Sequence, residues 1–517
     1  MQTTQKRNTT LVVFVDNKNK TGEVRMYNQP RQRGQDESDL PLVFQGGMGI
    51  YVFSPGAAKK VSLHKRCVGT VSGTGMHLVL PRLLQLGDEG GRYRRALKAF
   101  PDQEMATQIL ERYFVPNGIS LKERFKNIDQ FSLNPSRELI ELTIVANFCQ
   151  VWLAKEGHNG LIAVNFLEKI QMPHLYAVYG VLLARVDYVL VGAGIAMQIP
   201  AVLDKLIQHE PATYNTYVSG AEKALIFQSH FIPRDFLRCT LPELKRPLFY
   251  PIIGSSSLAQ IMTKSGQLQI DGWIVEENEF AGGHSAKPRG KLILNEVGEP
   301  LYGIRDEIDF KQLNDIGLPF YLAGAYASPE KLAYAQSVGA SGIQVGSIFA
   351  LSDDSNINPA LRAYMRIEGY NDRLVVFNDL LASPTGFPFK VVHMPNTLGE
   401  PLIYSARRRV CDLGGLLQPY LRDDGTVGYR CPAEPIQSYL KKGGKREDTI
   451  NTICLCNGLH SVVDLGQRLR NGTTLEPPVA TLGKDLSFLR HLMSHENDSY
   501  SIEDAIRYLL KDQKGSL

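Results

Sequence analysis

The segment Glu276-Glu277-Asn278-Glu279-Phe280-Ala281-Gly282-Gly283-His284 carries the side chain best suited to chemistry in this chain. Imidazole exchanges protons near neutral pH without special tuning, and two preceding glycines let His284 project freely into a cavity. General acid–base catalysis is the chemistry expected of it. Gln45-Gly46-Gly47-Met48-Gly49 crowds glycines into a short loop, where bare backbone N–H groups can approach a flat ligand closely. Ala323-Gly324-Ala325 and Gln344-Val345-Gly346-Ser347 also close apolar runs with small residues. Their N–H groups and the Ser347 hydroxyl can coordinate a phosphate monoester, which points to a mononucleotide cofactor. Asn165 is a polar side chain inside the apolar run Leu161–Leu167; once buried it needs a partner, either a ligand or neighbouring backbone. Lys287 and Arg289 follow His284 and could hold an anionic group or belong to a solvated loop.

Cys411, Cys431, Cys454 and Cys456 have donor chemistry for zinc or an iron–sulfur centre, and His460 is a spare ligand nearby. Their Cys-x-Cys spacing is not the usual Cys-x2-Cys knuckle, so no metal is assigned from sequence, and buried thiols are the alternative. Gly192-Ala193-Gly194 opens like a dinucleotide fingerprint but lacks its third glycine.

These groups need a scaffold that brings strand ends together. Eight short apolar runs occur: Leu42–Gly47, Cys67–Gly73, Leu161–Leu167, Tyr188–Gly194, Phe249–Gly254, Gly272–Asn278, Pro319–Ala325 and Gly342–Ile348. They are apolar on both faces, as buried parallel strands must be, and helical patterns lie between most of them. Ser54-Pro55 and Ser328-Pro329 are helix starts, Gly339 is a stop, and Asn134–His158 carries an apolar stripe through Ile140, Ile144 and Phe148. The pattern predicts an α/β fold, a (β/α)8 barrel, over residues 41–395, with catalytic groups at the strand C-termini. Insertions are expected at about 82–133, helical and basic around Arg92–Lys98, and at 211–246, over the barrel mouth. Residues 1–40 read as an N-terminal arm with strands Thr9–Asp16 and Glu23–Gln29. Residues 396–517 read as a separate C-terminal module closing in a helix over Ser501–Leu510.

The length of 517 residues suits such a barrel with additions. Lys and Arg total 57 against 53 Asp and Glu, an excess too small and scattered to make nucleic acid the partner. Seven cysteines are too few, and odd in number, for a secreted disulfide framework. Leu11–Val15 is too short an apolar run for a signal-peptide core, and no stretch reads as a membrane span. A cytoplasmic location is the expectation.

Taken together, Gly46-Gly47-Met48, Ala281-Gly282-Gly283-His284, Ala323-Gly324 and Gln344-Val345-Gly346-Ser347 resemble, in order and spacing, the nitronate monooxygenase family, formerly 2-nitropropane dioxygenases. That family shares its architecture with the type II enoyl-acyl-carrier-protein reductases. The resemblance covers about residues 41–350 and implies an FMN-dependent barrel oxidoreductase. It implies that Gln45, Gly46, Gly47 and Met48 line the isoalloxazine, and that Asn165 and Glu277 bond its polar edge. Gly282 and Gly283 would pack on the cofactor, Gly324, Ala325, Gly346 and Ser347 would bind its phosphate, Ala323 and Gln344 would also line the cofactor site, and His284 would be the base. Glu277 stands where the family usually has Gln, and Ala325 replaces a second glycine. The implied reaction converts an alkyl nitronate and O2 to a carbonyl compound and nitrite. The alternatives are an enoyl-thioester reductase using a pyridine nucleotide and a flavin-binding scaffold without turnover.

Overall fold

The computed structural model describes residues 40–222, 224–264, 268–511 and 513. The expected strands Thr9–Asp16 and Glu23–Gln29 lie outside the described residues. Each of the eight apolar runs coincides with one barrel strand, the fifth starting one residue ahead of its run. They are β1 (Val43–Gln45), β2 (Cys67–Ser72), β3 (Leu161–Leu167) and β4 (Tyr188–Gly192). After a hairpin of β5 (Ala212–Thr216) and β6 (Phe227–Phe231) come β7 (Leu248–Ile253), β8 (Trp273–Glu276), β9 (Phe320–Ala323) and β10 (Gly342–Val345). The barrel closes in the order β1-β10-β9-β8-β7-β4-β3-β2, every pair parallel. Several strands end before their apolar runs do. Gly46, Gly254, Asn278 and Gly346 have left the ladder and form the mouth loops. Two further hairpins follow the barrel: β11 (Val376–Asp379) with β12 (Phe389–Val392), and β13 (Gln418–Leu421) with β14 (Val427–Arg430).

The barrel interior is packed rather than open. Phe44, Tyr188, Tyr250 and Tyr321 meet edge-to-face or tilted, with Phe44 5.1 Å from Tyr188 and 4.6 Å from Tyr321 between ring centroids. Outside, Ser54 caps the helix Pro55–Ser62 and Ser328 caps Pro329–Ser337, as their Ser-Pro openings predict. Helix Arg137–Lys155, capped by Ser136, is buried on nearly all sides. It lies against helix His174–Leu183 on one side and under the 82–133 insertion on the other. That insertion is helical over Arg92–Ala99 and Gln103–Tyr113. Its basic run is internally engaged: Arg94 pairs with Asp88 at 3.1 Å and Arg95 with Glu156 at 3.0 Å.

The 211–246 insertion departs from the expected cover over the mouth. Its hairpin packs an apolar face on helix His174–Leu183, with Phe231 5.3 Å from both Tyr176 and Tyr179. Tyr214 and Phe231 are buried there. At the rim of the mouth the hairpin bonds the loops after β3 and β4, with Tyr217 N donating to Gln171 Oε1 at 3.2 Å and Asn215 N to Gln198 Oε1 at 2.7 Å, and Ser219 pairs with Tyr420 of β13. The C-terminal stretch returns to the barrel. Val462, Leu482, Phe488, Tyr500, Ile506 and Leu509 share one apolar cluster with the barrel helices, and Tyr500 OH donates to Ile348 O at 2.8 Å. Among the described residues no helix is long and apolar enough to cross a membrane.

Candidate active site

The C-terminal mouth of the barrel gathers most of the residues singled out by type. Gln344 is in register with Phe44 and Ala323, both in the inner layer, so its side chain points inward. Asn165 is in register with the inward Leu190 and stands in the layer above it. Glycine at 47 is required sterically, because a Cβ there would collide with the Asn165 amide. A Cβ at Gly346 would lie 2.7 Å from Met48 Sδ, and one at Gly46 would lie 3.3 Å from Gly346 Cα. The loops after β1, β3 and β10 therefore interlock.

Gln45 is fully buried, and its Oε1 accepts from Thr70 N at 2.9 Å, continuing the β1–β2 ladder after the main chain has turned away. Glu277 Oε1 accepts from Tyr326 OH at 2.5 Å. Gly324 has φ +90° and leaves no room for a side chain, since a Cβ would lie 2.9 Å from Glu277 O. Ala325 also takes a left-handed conformation, φ +60°. The loop after β9 thus keeps a glycine-like shape despite its Cβ, at a strain of about 1–2 kcal/mol.

His284 is held by parts of the chain that sequence patterning did not connect to it. Its backbone pairs antiparallel with Phe389 of β12, flanked by Lys390 N donating to Gly283 O at 2.9 Å and Ser285 N to Pro388 O at 3.0 Å. Gly283 N donates to Thr481 Oγ1 at 2.8 Å, and Lys484 N to Phe280 O at 2.9 Å. The imidazole Nε2 lies 2.7 Å from Ser383 Oγ, which lies 2.8 Å from Thr385 Oγ1. Phe389 meets the ring edge-on at 4.9 Å. Burial, and then the Lys169 charge, push the His284 pKa down to about 4. The group is therefore a free base at neutral pH and does not titrate there, contrary to the reading from residue type alone. Lys169 and Lys287 both lie over Phe387, at 4.6 and 5.9 Å from its centroid. Arg289, by contrast, faces Asp306 at 3.5 Å.

Beneath this loop Lys390 is fully buried and donates to Asn278 O at 2.7 Å and Ser285 Oγ at 3.2 Å. Burial lowers its pKa while Glu276 opposes the shift; burial raises the Glu276 pKa while Lys390 opposes it. Each charge is therefore sustained by the other. Ser383, Thr385, Phe389, Lys390, Thr481, Gly483 and Lys169 all escaped the sequence reading. No motif marks them, although a lysine in the apolar run Phe387–Val392 is the one local oddity.

The chemistry of this donor set suits FMN. Gln45 Nε2, Thr70 Oγ1 and Gln344 Nε2 are buried in β1, β2 and β10 without a hydrogen-bond partner among the described residues. Such orphans cost roughly 1–3 kcal/mol each, and a polar ligand edge would satisfy them. Gly283, φ +76°, faces open space where a Cβ would meet nothing within 4 Å. Ser347 Oγ accepts from Gly483 N at 2.8 Å, which leaves its proton available for a phosphate oxygen.

No family model and no curated protein matches the sequence. Among solved structures the chain is similar to FabK from Thermotoga maritima, at 15% identity over 92% of this chain and 93% of that one, TM-score 0.44. It is similar to nitroalkane oxidase from Streptomyces ansochromogenes, at 13% identity over 92% and 97%, TM-score 0.39. The enoyl reductase domain of MlnA from Bacillus amyloliquefaciens matches at 11% identity over 69% and 64%, TM-score 0.33. These likenesses assign neither a residue nor an activity to this chain.

Proposed function

We propose that the protein is an FMN-dependent oxidoreductase that oxidises alkyl nitronates with O2 to a carbonyl compound and nitrite. The observation that carries this reading is the cationic side of the barrel mouth: Lys169 and Lys287 both lie over the Phe387 ring, two residues from the Phe389 that meets the His284 imidazole. A nitronate is an anion that has already lost its α-proton, so it needs a positive field and a hydrogen-bonding neighbour more than a strong base. Lys169 and Lys287 on the Phe387 ring supply the field. Ser383, itself bonded to Thr385, fixes the imidazole in place.

Gly46, Gly47, Met48, Asn165, Gln344 and Glu277 would hold the ring of the flavin, and Gly324, Ala325, Gly346 and Ser347 its phosphate. When bound, the flavin supplies the electron-pair chemistry that side chains lack. A neutral nitroalkane would have to give its α-proton to His284, which a pKa near 4 makes inefficient, so nitronates should react much faster. The same two lysines also suit the phosphate of a phosphopantetheine arm, which keeps enoyl-thioester reduction as the second reading.

Purified protein should be yellow and release FMN, not FAD, on denaturation; colourless protein that cannot be reconstituted with FMN refutes the reading. Anaerobic mixing separates the two activities. Fast flavin bleaching by propyl-2-nitronate supports the monooxygenase. Fast bleaching by NADH, with reoxidation by an enoyl thioester, overturns it in favour of the reductase.

A further inference from the structure

The four C-terminal cysteines, scattered over residues 411–456, come together in the fold. They surround one small cavity of about 10 Å3, with Glu434 and Asn457 beside them. Cys431 follows β14 directly, Cys411 precedes β13, and Cys454 and Cys456 sit at the start of helix Leu455–Val462. The arrangement is a hairpin and a helix N-terminus facing each other through sulfur. None of the four is in a disulfide.

The four cysteines pack in one small cluster with Leu417 and Ala433. The Asn457 side-chain amide donates to Cys454 Sγ at 3.7 Å, a contact of the kind that orients a metal-bound thiolate from outside. Four thiolates would repel one another there unless a cation lay between them.

We propose that Cys411, Cys431, Cys454 and Cys456 bind a single zinc ion as a tetrathiolate structural site. Four thiolates select zinc or iron–sulfur chemistry, and size decides between them. A volume of about 10 Å3 corresponds to one water-sized sphere, enough for one ion and too small for the irons and sulfides of a cluster. Among the described residues no three His, Cys, Asp or Glu side chains are placed, as they stand, to hold a metal ion. The four thiols surround the cavity as uncharged S–H groups packing like apolar side chains do. Zinc binding therefore requires the cysteine side chains to rotate toward the common centre until the sulfurs lie at the ~2.3 Å of a zinc–thiolate bond, each losing its proton to solvent.

The site would staple the helix that backs the mouth. Val479 N donates to Gly458 O of that helix at 3.1 Å, and the same segment runs on to Thr481 and Gly483, which bond Gly283 and Ser347. The inference stands independently of the flavin reading.

Untagged full-length protein, grown with zinc and purified without chelator, should contain one zinc per chain by elemental analysis. X-ray absorption should show an all-sulfur shell at ~2.3 Å. Titration with a mercurial should release the zinc as four thiols react. Cys411→Ser and Cys454→Ser should each lose it, while Cys239→Ser, outside the cluster, keeps it. The wild-type measurements hold even if a variant fails to fold. Metal-free wild type, iron in place of zinc, a shell containing nitrogen or oxygen, or zinc retained in Cys454→Ser overturns the proposal.

Discussion

Replacing Gly282 with alanine tests whether the His284 loop is clamped by the irregular segment 481–484. A Cβ at 282 would stand 2.8 Å from the carbonyl carbon of Leu482, 2.9 Å from Gly483 N and 3.0 Å from Met48 Cε. Met48 can swing away, but the other two atoms are backbone. They are anchored by Thr481 to Gly283, by Gly483 to Ser347 and by Lys484 to Phe280. Relief therefore requires either overpacking strain, about 1–3 kcal/mol, or the loss of one of these bonds, about 1 kcal/mol more. A total of about 2–4 kcal/mol is expected. Gly283→Ala is the internal comparison. Its Cβ meets nothing within 4 Å, so the cost is the left-handed backbone alone at φ +76°, about 1–2 kcal/mol. Urea unfolding of both variants gives the two losses, and flavin fluorescence in the supernatant after gel filtration gives cofactor retention. Gly282→Ala should be the less stable of the two and should shed flavin. Gly282→Ala within about 0.5 kcal/mol of wild type, or Gly283→Ala the worse of the two, would refute the clamp.

The acidic limb of kcat/KM that belongs to His284 should fall near pH 4 rather than about 6.5, because burial and Lys169 disfavour the imidazolium. Lys169→Met should move that limb upward, and a limb at about 6.5 in the wild type would show that the ring is solvated. His77 and His174 are buried neutral, with pKa values pushed down by burial to about 3 and about 4. Between about pH 6.5 and pH 4 only the unfolded chain protonates them, so stability falls as pH falls, by about 1.4 kcal/mol per pH unit for each. Urea midpoints measured from neutral pH down to about 5 should show this loss, reduced by one group's share in His77→Phe.

The barrel was legible because its determinants are local. Buried parallel strands must be apolar on both faces, so all eight appear as short runs. Ser54-Pro55, Ser328-Pro329 and Gly339 punctuate the helices by hydrogen-bonding and backbone rules that act within one turn. The glycines at 46, 47, 324 and 346 were equally visible, since their cause is the absence of a Cβ where loops interlock.

What holds His284 could not be read in the same way. Ser383, Phe389, Lys390, Thr481 and Gly483 reach the mouth by chain reversal over long sequence separations, and no periodicity encodes which strand end a later segment will meet. The apolar face of the 211–246 hairpin was written in its residues, yet whether it lay over the mouth or on the helices depended on where an apolar surface was still uncovered. The imidazole's charge state followed suit: residue type supplied a group that titrates near neutrality, and burial beside Lys169 removed that property. The cysteines make the division plainest. Sequence gives four thiols at spacings that match no common knuckle. Only the hairpin folding against a helix start places them around one ion-sized space, because proximity between distant residues is a property of packing and not of order along the chain.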